Sequence, residues 1–491
     1  MHPVPVTAAA GPWPLHDAAA SRVVEQRALA GNPPQALMQR AGLAVAQLAL
    51  AWAPHAQRVQ VLAGPGNNGG DGFVAALHLQ RAGKAVQVAF FGDAARLPAD
   101  AAWAHAAAAA AGVPISPAWQ GDAGDLAIDA LLGLGTRRAP EGALADAIRR
   151  LNGGPAPVLS VDLPSGLHAD TGVALGGVAV RAQATLSLLT LKPGLYTGQG
   201  RDHAGRVWLH TLGVQVGDGT ALLAGPPPPL QRQHAAHKGS FGDVAVVGGA
   251  PGMTGAAWLA ANAALAAGAG RVYVSPLDAG ATTAPQRPEL MTRSRWWLAD
   301  DSALANTTVV CGCGGGTVVA EALPRLLARA SRLVLDADGL NAVAAAPDLQ
   351  AALRTRAAAG HATVLTPHPL EAARLLGCSA ADVQADRLAA AQALVQRYTC
   401  VVVLKGSGSI VAAPRMLPRI NPTGNALLAT AGTGDVLAGW LGGLWAQQPD
   451  APQAAAVAAV WQHGHVADRA AAAGRTRPLR ALDLVELLAA G

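Results

Sequence analysis

Short runs of apolar residues recur along this 491-residue chain, and most end at glycine or an acid just before a helix-forming segment. They occupy residues 58–63, 85–90, 126–133, 158–163, 243–249, 332–336 and 400–404. Continuous apolar runs of this length are typical of strands buried on both faces, and strands that alternate with helices form parallel sheets. The pattern predicts an α/β protein whose ligands bind at the carboxyl ends of its strands.

The composition excludes several classes of protein. With 51% hydrophobic and only 14% charged residues, the chain must bury large cores and is not disordered. An aromatic content of 4% disfavours base stacking on nucleic acid, and the scattered net charge of +5 suits a small anionic substrate. No apolar run near the amino terminus is long enough to span a bilayer. We expect a cytoplasmic homo-oligomer that binds neither nucleic acid nor membrane.

The first glycine-rich segment, Gly64 to Gly72, follows the strand at residues 58–63 and precedes a helix predicted from Phe73 to Arg81. Glycine lets a backbone adopt positive φ and approach a ligand closely, so the segment predicts a phosphate-binding turn. It fits neither the Rossmann fingerprint nor the P-loop. Asn67 and Asn68 add polar groups that a turn does not need, although a purely structural turn remains the alternative.

Two later strands of the first half also end in acids, at Asp129 and Asp162, and Arg137 follows in a glycine-rich loop. Each acid alone could cap a helix. Because the carboxyl ends of parallel strands share one edge of a sheet, we expect these side chains to converge on the segment from Asn67 to Asp71.

Three motifs of the first half carry a resemblance: Gly64 to Gly72, Asp129 to Gly133, and Val161 to Gly166. Together they resemble the NAD(P)H-hydrate epimerase domain over roughly residues 10–222. The resemblance implies a Rossmann-like domain that interconverts the R and S hydrates of NADH and NADPH, with Asp162 as the catalytic residue.

The resemblance also implies binding residues for this domain. Substrate contacts are expected from Asn67, Asn68, Gly69, Gly70, Asp71, Gly133, Leu134, Gly135, Thr136, Arg137, Arg138, Ala139 and Asp162. A potassium ion is expected on Asn68, Asp129 and Ser165, since a hard cation prefers oxygen ligands.

Four consecutive prolines, Pro226 to Pro229, predict a stiff and extended spacer that can continue neither sheet. We place a linker at residues 223–232 and a second domain at residues 233–491.

The second domain has its own candidate anion site at Ala431 to Gly434, where small residues run into an apolar helix. Main-chain N–H groups at a helix N-terminus favour anions. A carboxylate beside them, Asp435, is badly placed to bind phosphate but well placed to take a proton from a hydroxyl that accepts a phosphoryl group. The first hypothesis is therefore phosphoryl transfer, and a glycine-rich turn capped by Asp435 is the alternative.

Six motifs in order resemble the NAD(P)H-hydrate dehydratase within the ribokinase-like fold, over roughly residues 230–491. They are His237 to Gly239, Asp336 to Asn341, Thr366 to Pro369, Lys405 to Ser409, Asn421 to Asn425 and Gly432 to Asp435. The chain departs from the family turn at Cys313 and Gly315, where proline and leucine are usual.

The resemblance implies an S-specific lyase that uses ADP, with magnesium on the nucleotide, to phosphorylate the ring hydroxyl before phosphate leaves. Hydrate contacts are expected from Ala256, Gly314, His368 and Asp435. Nucleotide contacts are expected from Lys405, Gly406, Ser407, Gly408, Ser409 and Gly434.

Both halves together predict a bifunctional repair enzyme with two three-layer αβα domains, in which the epimerase supplies the S isomer to the dehydratase. One alternative is a ribokinase-like kinase of a vitamin or sugar alcohol. In that case the first domain would be a non-catalytic dinucleotide-binding module.

Overall fold

The computed structural model describes residues 2–122, 124–280 and 287–491. The chain divides into two compact units, Met1–Leu223 and Ala224–Gly491. The four prolines that suggested a linker therefore follow the division and belong to the second unit.

The first unit alternates strands and helices along most of its length. Its strands are β1 (Val4–Pro5), β2 (Trp13–Leu15), β3 (Arg58–Ala63), β4 (Ala85–Phe90), β5 (Ile115–Ser116), β6 (Leu126–Ala130), β7 (Val158–Val161), β8 (Ala184–Leu188), β9 (Arg206–His210) and β10 (Ala221–Leu223). Its α-helices are α1 (Ala18–Ala30), α2 (Ala36–Trp52), α3 (Asn67–Arg81), α4 (Ala99–Ala110), α5 (Gly142–Gly153) and α6 (Gly200–Ala204).

One sheet of this unit has the strand order β1-β9-β8-β7-β6-β3-β4-β5. Its strands from β3 to β9 pair in parallel, and β1 is antiparallel to β9. Helices cover both faces: Val61 packs in a core with Val45 and Phe73, whereas the next residue, Leu62, packs with Ile148. Successive strand residues point to opposite faces, so this unit has three layers.

The glycines after β3 have a different role from the predicted one. Helix α3 begins at Asn67, six residues before Phe73, and none of the glycines between Gly64 and Gly72 has positive φ. A Cβ on Gly69 would lie 2.0 Å from the carbonyl oxygen of Gly64, and one on Gly70 would lie 2.5 Å from the Met38 side chain. The positive-φ explanation is wrong, because these glycines serve close packing of α3.

The second unit repeats the alternation with its own strands and helices. Its strands are β11 (Asp243–Gly248), β12 (Arg271–Pro276), β13 (Met291–Thr292), β14 (Thr307–Cys311), β15 (Arg332–Leu335), β16 (Ala362–Leu365), β17 (Val401–Leu404), β18 (Ile410–Ala412) and β19 (Arg419–Ile420). Its α-helices are α7 (Thr254–Ala266), α8 (Asp301–Asn306), α9 (Leu323–Arg329), α10 (Ala337–Ala345), α11 (Pro347–Thr355), α12 (Pro369–Leu376), α13 (Ala380–Ala385), α14 (Arg387–Tyr398), α15 (Thr433–Gln447), α16 (Pro452–Ala472) and α17 (Ala481–Ala489).

Within this unit the strand order is β13-β12-β11-β14-β15-β16-β17-β18-β19. Pairing is parallel from β13 to β17 and antiparallel at β18 and β19. Val246 and Val310 pack on one face with Trp445 of α15, and α14 contacts β17 and β18. The α/β class expected from the sequence is confirmed. Among the described helices, none combines the length and apolarity needed to cross a bilayer.

Candidate active sites

The first unit contains a cavity of about 720 Å³ at the carboxyl ends of its parallel strands. Of the predicted substrate contacts in this unit, Asn67, Asn68, Asp71, Gly133, Leu134, Gly135, Thr136, Arg137, Arg138, Ala139 and Asp162 line it. Gly69 and Gly70 do not line it, because their open sides face Gly64 and Met38. The sheet topology thus brings the segments that follow β3, β6 and β7 together at the wall of this cavity.

Asp162 directly follows β7 and has an ion-pair partner that the sequence analysis missed. Its carboxylate accepts the N–H of Leu188 at 3.1 Å and a hydrogen bond from the Lys192 ammonium. Lys192 is only 2% exposed and also donates to the Leu188 carbonyl oxygen at 2.8 Å. The available signal was a lysine inside an otherwise uncharged segment, residues 184–196.

The backbone of Asp162 is held in an unusual conformation. Its φ is 65°, the left-handed region that non-glycine residues seldom adopt, and its N–H donates to the Leu186 carbonyl oxygen at 2.8 Å. Such conformations cluster at functional sites, where the surrounding structure holds them. The aspartate therefore has a fixed position at the cavity wall. Arg137 and Arg138 are exposed, so the cation beside Asp162 is Lys192 and neither arginine.

Two more acids line the same cavity. Burial raises the pKa of Asp71 well above its usual range, and the charges of Asp162 and Glu25 act in the same direction. Burial likewise raises the pKa of Glu25, which lies on α1 and which sequence reasoning missed. Nothing in the α1 sequence distinguishes Glu25 from a surface acid. The cavity thus places acids that retain their protons more strongly than usual beside an ion pair.

Oxygen atoms of Asp129 and Ser165 form a buried cluster at the ends of β6 and β7. Ser165 Oγ donates to Asp129 Oδ1 at 2.5 Å, and Ser160 Oγ donates to Oδ2 at 2.8 Å. The N–H of Leu132 donates to Ser165 Oγ at 2.8 Å. The cluster is therefore tied to the loop that follows β6.

The side chain of Asn68 reaches this loop, since a Cβ on Gly133 would lie 3.2 Å from Asn68 Oδ1. Its buried amide nitrogen, Nδ2, has no hydrogen-bond partner. The amide oxygen of Asn68, the carboxylate of Asp129 and the hydroxyl of Ser165 are oxygen ligands of the kind that a hard cation takes.

In the second unit, Asp435 lies in the first turn of α15. The turn depends on Gly432, whose φ of 88° favours glycine. A Cβ on Gly434 would lie 3.6 Å from Lys405 Nζ and 4.0 Å from Asp336 Oδ2. The predicted nucleotide residues Gly434 and Lys405 therefore lie side by side, next to the helix N-terminus.

Lys405 forms ion pairs with two acids. Its Nζ lies 2.5 Å from Asp336 Oδ1 and 3.9 Å from Glu371 Oε2. Burial opposes its charge, but the carboxylates of Asp336 and Glu371 raise the pKa of Lys405. A phosphate that binds Lys405 must therefore share the lysine with Asp336.

Burial gives two acids of this site unusual pKa values. It raises the pKa of Asp435 to about 6, with the Asp336 charge acting in the same direction. It raises the pKa of Glu371 to about 7, although the Lys405 charge opposes the shift. Perturbed acids of this kind cluster in active sites. An aspartate with a pKa near 6 is ionised at neutral pH and basic enough to accept a proton.

His368 caps α12, and its Nδ1 accepts the N–H of Leu370 at 3.1 Å. Its Nε2 lies 3.2 Å from Glu371 Oε1, and burial lowers the pKa of the imidazole.

Ala256 and Gly314 are neighbours, since a Cβ on Gly314 would lie 2.8 Å from the Ala256 Cβ. The predicted hydrate contacts Ala256, Gly314 and His368 thus follow β11, β14 and β16, and Ala256 is in the first turn of α7.

The turn from Gly406 to Ser409 follows β17 and contains two positive-φ glycines, Gly406 and Gly408. The N–H of Lys405 donates to the Pro367 carbonyl oxygen at 2.8 Å, which joins this turn to the loop of His368. Arg387, a buried residue missed by sequence reasoning, donates to the Lys405 carbonyl oxygen at 3.0 Å. Arg387 supports the turn from beneath.

Relatives of known name match almost the whole chain. The Escherichia coli K12 bifunctional NAD(P)H-hydrate repair enzyme Nnr is 39% identical over 474 residues, which cover 92% of this chain and 88% of that protein. The enzyme of the same name from Coxiella burnetii is 38% identical and covers 91% and 93% of the two chains. The chain belongs to the family of bifunctional NAD(P)H-hydrate repair enzymes.

Two family profiles divide the repair enzyme as its fold does. The profile described as YjeF-related protein N-terminus matches residues 34–194, and the one described as NAD(P)H-hydrate dehydratase matches residues 244–489. The prediction of an epimerase and a dehydratase in one chain is confirmed. The kinase alternative is not favoured, because full-length repair enzymes match both units.

Solved structures resemble single units of the repair enzyme. The Bacillus subtilis ADP/ATP-dependent NAD(P)H-hydrate dehydratase, co-crystallised with ATP and Mg²⁺, is 27% identical and covers 52% of this chain and 91% of its own, with a TM-score of 0.43. A yeast protein structure is 24% identical, covers 37% of this chain and 82% of its own, and has a TM-score of 0.34.

Proposed function

We propose that the cavity of the first unit interconverts the R and S hydrates of NADH and NADPH, and that the Asp435 site dehydrates the S hydrate with ADP. This assignment is supported by the groups that surround each predicted catalytic acid. Asp162 has a buried lysine beside it, and Asp435 has a helix N-terminus, Lys405 and a raised pKa.

In the first site, the hydroxyl lies on a ring carbon next to nitrogen, and the nitrogen lone pair expels it once it is protonated to water. The cation that remains accepts water on its other face and loses a proton. Acids at Asp71 and Glu25 can give the proton, and Asp162, held by Lys192, can receive it. Because one proton is given and one is taken, these groups need fixed positions, but the reaction consumes no energy source.

A potassium ion would be held by Asn68, Asp129 and Ser165. It would supply fixed positive charge that offsets the buried carboxylate of Asp129, whose pKa burial raises. This site lies beside the loop from Gly133 to Ala139, so the ion would also order part of the cavity wall.

In the second site, the carboxylate of Asp435 removes the proton of the ring hydroxyl while this oxygen attacks the β-phosphorus of ADP and AMP leaves. The ring nitrogen then expels phosphate, which is a far better leaving group than hydroxide, and loss of a proton from the adjacent ring carbon gives NADH or NADPH. Lys405 and the turn to Ser409 bind the nucleotide, and Gly434 offers its backbone beside Lys405. Magnesium would neutralise charge on the phosphates.

A coupled assay tests the dehydratase assignment. The purified protein is incubated with ADP and hydrated NADH, and absorbance of the reduced ring is followed together with AMP and phosphate. We expect equal amounts of all three products. Nucleotide consumption only with a pyrimidine or sugar alcohol would instead support a kinase.

A second assay tests the epimerase assignment. Starting from purified R hydrate, the complete enzyme should regenerate NADH, because epimerisation feeds the S-specific site. The Asp162→Asn variant should consume S hydrate normally and leave R hydrate behind. Unchanged consumption of R hydrate would remove Asp162 from the mechanism.

A further inference from the structure

One thiol lies inside the Asp435 site. The Sγ of Cys313 and carboxylate oxygens of Asp336 and Asp435 all lie within 4.8 Å of one another. Cys313 is fully buried. A side chain this close to two carboxylates affects both their charge and their orientation.

The backbone at Cys313 is rigid. Gly312 and Gly314 on either side have φ values of 119° and 56°, which only glycine adopts without strain. The Cys313 carbonyl oxygen accepts the N–H of Gly249 at 2.9 Å, and the Gly314 carbonyl oxygen accepts that of Ala250 at 2.7 Å. The thiol is therefore presented to Asp435 from a fixed point.

Asp435 has few other partners. Among the described residues, no N–H or O–H group donates to its carboxylate, and the Sγ of Cys313 lies within 4.8 Å of a carboxylate oxygen of Asp435. Asp336 and Asp338 repel its negative charge, and Lys405, which attracts it, is already paired with Asp336. The thiol is thus a neutral donor placed beside Asp435, and a hydrogen bond from it would favour the ionised form of the carboxylate.

We propose that Cys313 is a positioning residue for the base: its thiol holds one carboxylate oxygen of Asp435 and leaves the other free to face the substrate hydroxyl. The inference rests on the proposed role of Asp435 in dehydration. A thiol is a weak donor, so it orients the carboxylate without removing its basicity, as a strong donor would.

Kinetics of three variants test the proposal. Cys313→Ala should lower kcat for dehydration about 3- to 10-fold, the range expected for one neutral hydrogen bond. It should also move the acid limb of the kcat/KM profile to higher pH, because the donor that favours the carboxylate is lost. Cys313→Ser retains a donor, and because a hydroxyl donates more strongly than a thiol it should place the limb at or below its wild-type position. Cys311→Ala removes a neighbouring thiol that is buried in β14, and should leave the limb in place.

An infrared measurement separates this proposal from the proposed function. The S–H stretching band of Cys313, assigned by its loss in Cys313→Ala, should move to higher frequency in Asp435→Ala because the acceptor is gone. An unmoved band, or the same pH profile for Cys313→Ala and wild type, would overturn the role of Cys313. A band that moves in a protein that does not dehydrate the hydrate would instead overturn the function proposed for Asp435 and leave the contact standing. Thermal unfolding of each variant confirms that it is folded.

Discussion

The two sites use the same residue types at the ends of parallel strands, but they pair them differently. In the first unit the lysine contacts the catalytic candidate itself, since Lys192 donates to Asp162. In the second unit the lysine contacts a neighbouring acid, since Lys405 donates to Asp336, and the thiol of Cys313 lies beside Asp435. The difference lies in which acid the cation neutralises.

The difference matches two chemical tasks. An epimerase returns the proton that it takes, so its acid benefits from a fixed position and a permanent counter-charge. A base for phosphoryl transfer must attract a proton at neutral pH, and burial without a direct cation raises the pKa of Asp435 to about 6. The different placement of the lysine thus gives an anchored carboxylate in the first site and, in the second, a carboxylate whose pKa burial raises.

The largest expected effect separates the two sites outright. Asp435→Asn removes the base but preserves shape, so dehydration should fall about 10³-fold, within the range for general-base catalysis. Interconversion of R and S hydrates, followed by chromatography without ADP, should be unchanged. Loss of both activities would show that the sites are not independent.

Lys192→Met tests the anchored pair. Removal of the ammonium leaves Asp162 buried without its cation, and we expect an epimerase rate about 100-fold lower and a loss of about 3–5 kcal/mol in the unfolding free energy of the first unit. The double variant Lys192→Met/Asp162→Asn should regain much of that stability but no activity. Lys84→Met, at a half-buried lysine that does not line the cavity, is the control. Full activity of Lys192→Met would contradict the role of the pair.

The proposed potassium site distinguishes the units by ion dependence. Replacement of potassium by choline at equal ionic strength should lower the epimerase rate about 10-fold, in line with the effect of weakened ligation, and leave dehydration unaffected. Ser165→Ala should weaken the apparent affinity for potassium. An epimerase indifferent to the cation would remove Asn68, Asp129 and Ser165 from a metal-binding role.

The pH dependence sharpens the contrast in basicity. Protonation of Asp435 disables the base, so log kcat/KM for dehydration should fall with unit slope below about pH 6 and be about tenfold lower at pH 5. The direction follows from the sign of the shift: a raised pKa moves the loss of activity to higher pH than for an ordinary aspartate. An acid limb near pH 4 would show that burial does not control this carboxylate.

The smallest expected effect concerns the glycines of α3. Because Gly70 packs against the flexible end of Met38, Gly70→Ala should change the unfolding free energy by only about 1 kcal/mol and leave the KM for the hydrate unchanged. Gly69→Ala, which meets the backbone of Gly64, should be clearly more destabilising. A raised KM in Gly70→Ala would restore the predicted ligand contact.

The sequence by itself determined the α/β class, the order of strands along the chain and the acids at their ends, because buried strands leave continuous apolar runs and strand ends are local features. It also indicated both families through ordered motifs. It placed Asp129, Asp162, Asp336 and Asp435 at strand ends or helix starts, where the structure has them.

Only the tertiary structure decided which charges meet. Lys192 and Asp162 are 30 residues apart, and Lys405 and Asp336 are 69 apart, so no local pattern reveals either pair. The role of Gly69 and Gly70 depends on what packs against α3. The role proposed for the thiol of Cys313 depends on Asp435, in a helix that begins 120 residues later. Burial and pairing are properties of distant segments brought together, and they set the chemistry of groups whose positions the sequence had already marked.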